Sequence, residues 1–539
     1  MEFNLADLFE SVADQVGAET AMVSGTRRLS YIDLDQRANR LAHYLDGSGI
    51  GPGDHIGIQL ANGTEYIEAM LASFKIRAVP ININYRYGSG ELEYIYNDAA
   101  LSGLIFHSRF AGAVAGALGC LPPGAVLLEV PDGSTSSGFA ADYQAALDSV
   151  PGTRGFPQRR RDDLYCVYTG GTTGMPKGVL WRHDDIFFAA MGGGDPLSLG
   201  NHIATPEELA GRVLHPGMTA LAIPPFIHAA GHWLAFSTMF GGGKVVTLEK
   251  GTFDPSNVWR LVEVEAVNVI AVVGDAMARP LLDVLEAEPD RFNLSSLMAV
   301  GSGGALLSPS TKAQLARLLP GRVVADRFGS SETGQVGGEA PPGDPFGPPQ
   351  LRVDARTDVF DEELQPVRGG SGVIGRLARG GHVPIGYLGD AAKSATTFVE
   401  QGGQRWALPG DLALVAADGT ITVLGRGSLC INTGGEKVFP DEVEAVLKDH
   451  PDVRDAIVIG MPDDRYGERV VALVQPNSGC RIDTEGLRKY GRDRLTGYKV
   501  PKVVMVVDEI LRSPSGKPDY PWARSVAGSA VGAGGQNGD

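Results

Sequence analysis

Cysteine is scarce. Cys120, Cys166, Cys430 and Cys480 are the four in 539 residues, and no two of them form a Cys-x-x-Cys pair. That spacing argues against a disulfide scaffold or a zinc site and suits a reducing cytoplasm. Long apolar runs are missing too. No stretch reaches the roughly 18 apolar residues of a membrane-spanning helix, so none is expected. The start, Met1-Glu2-Phe3-Asn4, has no basic segment followed by an apolar one, so no secretory leader is expected. Positive charge is in deficit: 47 Lys and Arg against 64 Asp and Glu give a net charge of −17. A chain so acidic lacks the basic face that nucleic-acid binding needs. Two catalytic patterns are absent as well. There is no Gly-x-Ser-x-Gly elbow of a serine hydrolase and no Walker A ending in Gly-Lys-Ser/Thr.

Apolar residues and glycine are plentiful. Hydrophobic residues make up 43% of the chain, enough for a large core, and glycine supplies 73 positions, many of them clustered in loops. Leu5, Leu8 and Phe9 open a helical face, and Leu34, Ala38, Leu41 and Leu45 another. Runs 55–60 and 78–83 read as strands with a helix over 64–74 between them. Runs 220–223, 244–248, 267–273 and 297–300 repeat that alternation, which predicts βαβ units. From about residue 351 the texture turns to short strands and Gly-rich turns, as in Gly369–Gly375 and Gly380–Gly386. After residue 428 come a helix opening at Phe439-Pro440, strands at 456–459, 470–474 and 503–507, and a helix over 484–495. The expected fold is α/β. A large multi-layer α/β body with a small β-rich subdomain fills 1–425, a hinge lies at 426–428, and a small mobile α+β domain follows at 429–523. A Gly/Ala/Ser-rich tail at 524–539 is expected to be disordered.

Five loops carry chemistry. In Tyr168-Thr169-Gly170-Gly171-Thr172-Thr173-Gly174-Met175-Pro176-Lys177-Gly178, glycines let backbone N–H groups approach phosphate oxygens. Two threonine hydroxyls and a lysine add donors and charge. Phe328-Gly329-Ser330-Ser331-Glu332-Thr333-Gly334 sets one carboxylate among hydroxyls, the kind of group that holds Mg²⁺ against phosphate. Asp411, in Leu408-Pro409-Gly410-Asp411, could accept bonds from ribose hydroxyls. Gly425-Arg426-Gly427-Ser428 leads into Asn432-Thr433-Gly434-Gly435-Glu436-Lys437, and Lys517 sits in Ser513-Pro514-Ser515-Gly516-Lys517-Pro518. Each loop taken alone also fits a plain surface turn or linker. Their order along one chain is far more specific.

In that order the chain resembles the adenylate-forming superfamily of acyl-CoA synthetases, luciferases and peptide-synthetase adenylation domains, over about residues 5–523. The wording of 168–183, with Gly274-Asp275-Ala276-Met277-Ala278-Arg279-Pro280, is similar to a branch of actinobacterial ligases that includes enzymes acting on sterol side-chain acids. The resemblance implies ATP, Mg²⁺ and coenzyme A as cofactors and a carboxylic acid as substrate. Thr169 to Lys177 would hold the phosphates, with Glu332 and Thr173 on Mg²⁺. Gly303, Gly304 and Ala305, with Arg327, Phe328 and Gly329, would line the adenine and acyl regions beside Ser330 and Ser331. Asp411 would bind ribose, and Arg426 would support the nucleotide and mark the hinge. Lys517 would act in adenylation. The face bearing Gly434, Gly435 and Lys437 would then turn to coenzyme A. His228, in Pro224-Pro225-Phe226-Ile227-His228, would lie near the acyl and pantetheine site, with the alternative of a satisfied buried histidine. Ala229, Gly231, Gly301, Ser302 and Gly334 would border the acid.

Small residues in that region leave room for a broad apolar acid: a sterol or terpenoid acid, or a medium- or long-chain fatty acid. They could also serve only backbone turns. The chain departs from the family at Gly170 and Ser331, forms shared with the sterol-acid branch, and at Phe328, Pro409 and Ser428. An enzyme limited to the thioesterification half, an adenylation module loading a carrier protein, and a retired binding protein are the alternatives. A cytoplasmic enzyme is expected, with a homodimer compatible.

Overall fold

In a computed structural model, the structure describes residues 1–170, 175–195, 200–248, 253–305, 307–339, 350–463, 465–513 and 516–534. No described helix is long and apolar enough to cross a membrane.

Local signals set the first elements. The Asn4 side chain accepts from Ala6 N and caps helix Leu5–Val16, whose Leu5, Leu8, Phe9, Val12 and Val16 are buried. Ser30 and Asp33 form a capping box that starts helix Tyr31–Gly47. These helices and Thr64–Lys75 share an ion cluster. The buried Lys75 ammonium lies 2.5 Å from Glu10 and 2.7 Å from Asp35, and Arg154 and Arg159 close the cluster.

Next to the antiparallel edge strand Arg27–Ser30, the largest sheet runs through parallel strands in the order Thr20–Ser24, Lys244–Thr247, Thr219–Ala222, Val269–Val272, Ala299–Gly303 and Val323–Ser330. The expected strands at 220–223, 244–248, 267–273 and 297–300 are all present, within a few residues. Thr219–Ala222 and Lys244–Thr247 are buried apolar runs, while Val269–Val272 and Ala299–Gly303 are buried at alternate residues. A second parallel sheet holds His55–Gln59, Val79–Asn82, Leu101–His107, Val126–Val130 and Ala141–Asp142.

The β-rich subdomain has its own core of Val336, Leu351, Val359, Leu377, Ala413, Ile421 and Val423. It is not a detached sheet. Gly334–Glu339 and Gln350–Val353 carry the hydrogen-bond ladder from Val323–Ser330 into Ile421–Arg426 and Asp411–Val415.

The C-terminal unit packs helices Pro440–Lys448 and Thr484–Arg492 on a sheet of Val453–Asp463, Gly467–Pro476 and Val503–Val506. One expectation is corrected. The tail is helical from Tyr520 to Gly534. Tyr520, Ala523 and Ala527 recur at helical spacing and are buried against Ile457, Ile459, Val471 and Leu473. Small residues let this helix lie close to the sheet, so a composition typical of linkers hides an amphipathic face. Residues 535–539 lie outside the described residues.

Candidate active site

The loops bearing Glu332, Asp411, Arg426 and Lys517 gather near the carboxyl ends of parallel strands Val269–Val272, Ala299–Gly303 and Val323–Ser330. Open α/β sheets bind ligands at such ends. Val273, Gly304 and Ala305 follow the first two strands, and the Ser331–Glu332 turn follows the third.

Glu332 is buried, 7% exposed, and accepts from the Tyr387 hydroxyl at 3.1 Å. Its turn is fixed from several sides. Ser330 N donates to Thr333 Oγ1, Glu332 N to Ser330 Oγ, and Trp181 Nε1 to the Ser331 carbonyl at 3.0 Å. Gly334 has φ +64°, and a Cβ there would stand 2.6 Å from the Ala189 carbonyl oxygen. Gly334 therefore makes the turn and carries no visible role in holding an acid.

Asp411 and Arg426 face each other across antiparallel strands, Arg426 Nε 3.6 Å from the carboxylate. Burial and the nearby Glu332 raise the Asp411 pKa, while Arg426 and Lys517 pull it down. Lys517 arrives from the C-terminal unit. Burial, then Arg426, lower its pKa, and Glu332 and Asp411 oppose that. Its side chain is crowded by protein yet remains exposed to solvent. The loop behind it is seated on the large body: Gly516, with φ +71°, lies so close that a Cβ would be 3.0 Å from the Val273 carbonyl oxygen. Glu332, Asp411, Arg426 and Lys517, separated by up to 185 residues in sequence, thus share one electrostatic neighbourhood.

The loop expected to hold phosphate joins a hairpin of Leu164–Thr169 and Lys177–Arg182, with Thr169 opposite Lys177. Gly171, Thr172, Thr173 and Gly174 lie outside the described residues. At Gly170 a Cβ would meet nothing within 4 Å, so a small side chain would fit there. The Lys177 ammonium is 2.5 Å from Asp390 and 5.8 Å from the centre of the Tyr387 ring. Tyr387 therefore stands between Lys177 and Glu332.

His228 lies at the start of helix Ala229–Phe240. Its Nε2 is buried with no hydrogen-bond partner among the described residues, so it is not the satisfied core histidine of the alternative. Burial, then the Lys517 charge, push its pKa down to about 3. Ala229 is half-buried beside it. Gly231 does not border open space: a Cβ would be 2.7 Å from the Pro224 and Pro225 carbonyl oxygens, so its smallness serves helix packing. Ser302 is also spent on structure, accepting from Gly274 N at 3.1 Å and donating to the Ala305 carbonyl at 2.9 Å.

Gly301 and Gly303 differ. A Cβ at either would find no atom nearer than 3.9 Å, and the same holds at Gly338. Register puts Gly303, Arg327 and Gly338 in one row and Ala271, Gly301 and Ala325 in the next. On that face Arg327 is the one long side chain in the two rows; the others are glycine and alanine. Arg327 donates to Gln335 at 2.8 Å, and burial lowers its pKa. Phe328 points the other way, half-buried against the core around Val336 and Leu351. Gly329 is held by contact: a Cβ there would strike the Gly334 carbonyl.

Gly434 and Gly435 turn the exposed hairpin Ile431–Thr433 to Glu436–Val438 at φ +61° and +87°. Lys437 is exposed on that hairpin, and the charges around Lys517 do not include it. The two lysines occupy different parts of the C-terminal unit.

Sequence reasoning missed Tyr387, Asp390 and Trp181. Trp181 stands inside the phosphate-loop wording already quoted, and Tyr387 directly follows the Gly380–Gly386 run. Asp390 carries no signal in the sequence.

The AMP-binding enzyme family matches residues 9–388, and the AMP-binding enzyme C-terminal domain matches 442–517. The 3-oxocholest-4-en-26-oate–CoA ligase of Rhodococcus rhodochrous is 46% identical over 98% of this chain and 96% of its own length. The medium/long-chain-fatty-acid–CoA/3-oxocholest-4-en-26-oate–CoA ligase of Mycobacterium marinum is 45% identical over 97% and 96%. The crystal structure of the anthranilate CoA ligase AuaEII with anthranoyl-AMP superimposes at a TM-score of 0.83, covering 98% of each chain at 22% identity, a likeness of fold. Spanned by both family matches, and close to half identical to CoA ligases along nearly its whole length, the chain belongs to the AMP-binding enzyme family.

Proposed function

We propose that the chain joins a bulky hydrophobic carboxylic acid to coenzyme A in two steps. The carboxylate attacks the α-phosphorus of ATP, pyrophosphate leaves, and an acyl-AMP forms. The CoA thiolate then attacks the acyl carbon, AMP leaves, and a thioester remains. A carboxylate is a poor electrophile; the mixed anhydride supplies a good leaving group. No side-chain nucleophile is required, so the protein's task is positioning and charge stabilisation.

One observation carries this reading: Lys517, from the C-terminal unit, lies among Arg426, Glu332 and Asp411 of the large body. A cation there faces the charge that builds up as the carboxylate meets the α-phosphate. Asp411, paired with Arg426, suits ribose hydroxyls. The family donor set fits Mg²⁺ as an ion that arrives with phosphate. Glu332 supplies one carboxylate, no cluster of three or more potential ligands occurs among the described residues, and Mg²⁺ commonly takes one or two carboxylates plus substrate phosphates. Bound there, it would neutralise phosphate charge. His228, neutral near Lys517, would meet the incoming thiol. For the second step the C-terminal unit turns and brings Lys437 and its glycine hairpin to the cleft.

The acid is sterol-like or a medium- to long-chain fatty acid. The sterol and fatty acids named for the relatives support this. So does the row of Ala271, Gly301 and Ala325, whose small side chains leave width for rings. The reading places the reaction in the cytoplasm, where ATP and CoA are supplied. The test is ATP–pyrophosphate exchange across sterol, fatty, aromatic and short acids, followed by mass detection of the CoA thioester. Exchange confined to short or aromatic acids would overturn the substrate class, and no exchange with any acid would overturn the reaction.

A further inference from the structure

The buried Arg279 lies outside the site described above, on helix Gly274–Ala287 of the large body. Its guanidinium leaves its own domain. Nη1 donates to the carbonyls of Val453, at 3.1 Å, and Arg454, and Nη2 donates to that of Lys448 at 3.0 Å. All three belong to the C-terminal unit. The same side chain is held from behind by Asp275 at 3.4 Å, Thr311 at 3.2 Å and Ser308 at 3.4 Å. Four residues along the helix, Asp283 pairs with Arg454 at 2.8 Å on the exposed rim.

The segment that Arg279 grips leads straight to the active-site lysine. Next after Arg454 comes Asp455, which takes a bidentate pair from Arg512 at 2.6 and 2.8 Å. Lys448 and Arg512 hold the Asp455 pKa down at about 2, so this link is ionised across the working pH range. Arg512 Nη1 then donates to the Gly516 carbonyl at 2.9 Å, and Lys517 follows in sequence. Gly516 itself rests on Val273, just before the helix that bears Arg279. One short stretch of the large body, 273–283, therefore fixes the lysine loop at both ends of a charge relay.

We infer that Arg279 is a positioning residue for adenylation: it clasps the C-terminal unit in the orientation that puts Lys517 in the cleft, and its release is part of the turn to thioester formation. The inference rests on the two-step reading proposed above. Multidentate guanidinium-to-carbonyl bonds are geometrically demanding, and lysine cannot replace them. In the turned state these carbonyls move away while Asp275, Ser308 and Thr311 stay, so the clasp stabilises only one arrangement.

The experiment measures the half-reactions separately in the full chain. ATP–pyrophosphate exchange reports adenylation, and CoA thioester formation from synthetic acyl-AMP reports transfer. Arg279→Ala and Arg279→Lys should lower exchange by roughly 10- to 100-fold, the scale of a misplaced catalytic group, while transfer stays at the wild-type rate or rises. Equal losses in both steps, or undiminished exchange, overturn the inference. The exposed pair gives an independent arm in case Arg279 variants do not fold. Asp283→Arg should cut exchange roughly 2- to 5-fold, the range of a surface ion pair, and adding Arg454→Asp should restore it. No recovery in the swapped pair counts against the clasp. Lys517→Ala separates the two proposals. Loss of exchange there beside intact exchange in the Arg279 variants sinks the clasp and spares the function; a wild-type protein with no exchange sinks both.

Discussion

Replacing Lys517 with alanine removes one charge from a balanced group. Lys517 and Arg426 face Glu332 and Asp411, so cations and carboxylates match before any substrate enters. Nucleotide and acid add negative charge, and without Lys517 that charge meets a site already one cation short. Two unit charges about 4 Å apart interact by about 4 kcal/mol at an effective dielectric constant near 20. The lysine remains exposed, so solvent recovers part of this. Removing a positioned donor from a site of developing charge costs about 2.7 to 4 kcal/mol, or roughly 10²- to 10³-fold in rate. Lys517→Ala should therefore slow ATP–pyrophosphate exchange by roughly 10²- to 10³-fold while transfer from preformed acyl-AMP changes little. Lys437→Ala should show the opposite pattern. The pH profile adds a check. The protonated lysine is the active form, and burial with Arg426 lowers its pKa. Exchange in the wild-type protein should fall on the alkaline side earlier than an ordinary lysine would allow. Parallel losses in both half-reactions, or an Ala variant with normal exchange, would refute the assigned role.

Acid should destabilise the protein through buried neutral histidines. The His183 pKa is held at about 3 and that of His232 at about 4, both by burial, against 6.5 for the free side chain. The unfolded chain binds protons below pH 6.5 and the folded one does not until pH 3 to 4, so stability drops as pH falls through that window. At pH 5 the loss is roughly 2 kcal/mol for each histidine, read as a lower urea midpoint that His183→Gln partly flattens. Lys75→Ala should cost about 1.5 to 3 kcal/mol in urea unfolding, because it removes buried charged hydrogen bonds while Arg159 and Arg154 still pair with Glu10 and Asp35. Loss below about 1 kcal/mol would show the cluster to be solvated. Gly301→Val fills open space in the row of small residues, so it should raise the KM for a sterol-like acid roughly tenfold and leave a short-chain acid near its wild-type KM. An equal effect on both acids would place Gly301 outside the acyl site.

What could be read from the sequence was short-range. Buried apolar runs and their alternation with helical spacing give the parallel strands at 219–222, 244–247, 269–272 and 299–303, because each element answers to its own periodicity. The loops around Thr169, Glu332, Asp411 and Lys517 were legible because glycine, hydroxyl and charge at fixed spacing have few other uses. Distance between loops was not legible. Nothing in the run 513–518 says that Gly516 would sit on Val273, and nothing local to Arg279 says that its partners are carbonyls 169 to 175 residues away. Carbonyl acceptors leave no mark in a sequence, since every residue has one. The small residues illustrate the same limit: Gly231, Gly334, Gly301 and Gly303 look alike in the chain, yet the first two are small because backbone presses on them and the last two border free space. The error at 524–534 has the same cause. Ala523 and Ala527 are as buried as any leucine of the core, but an alanine's burial depends on the sheet it meets, and composition cannot report that.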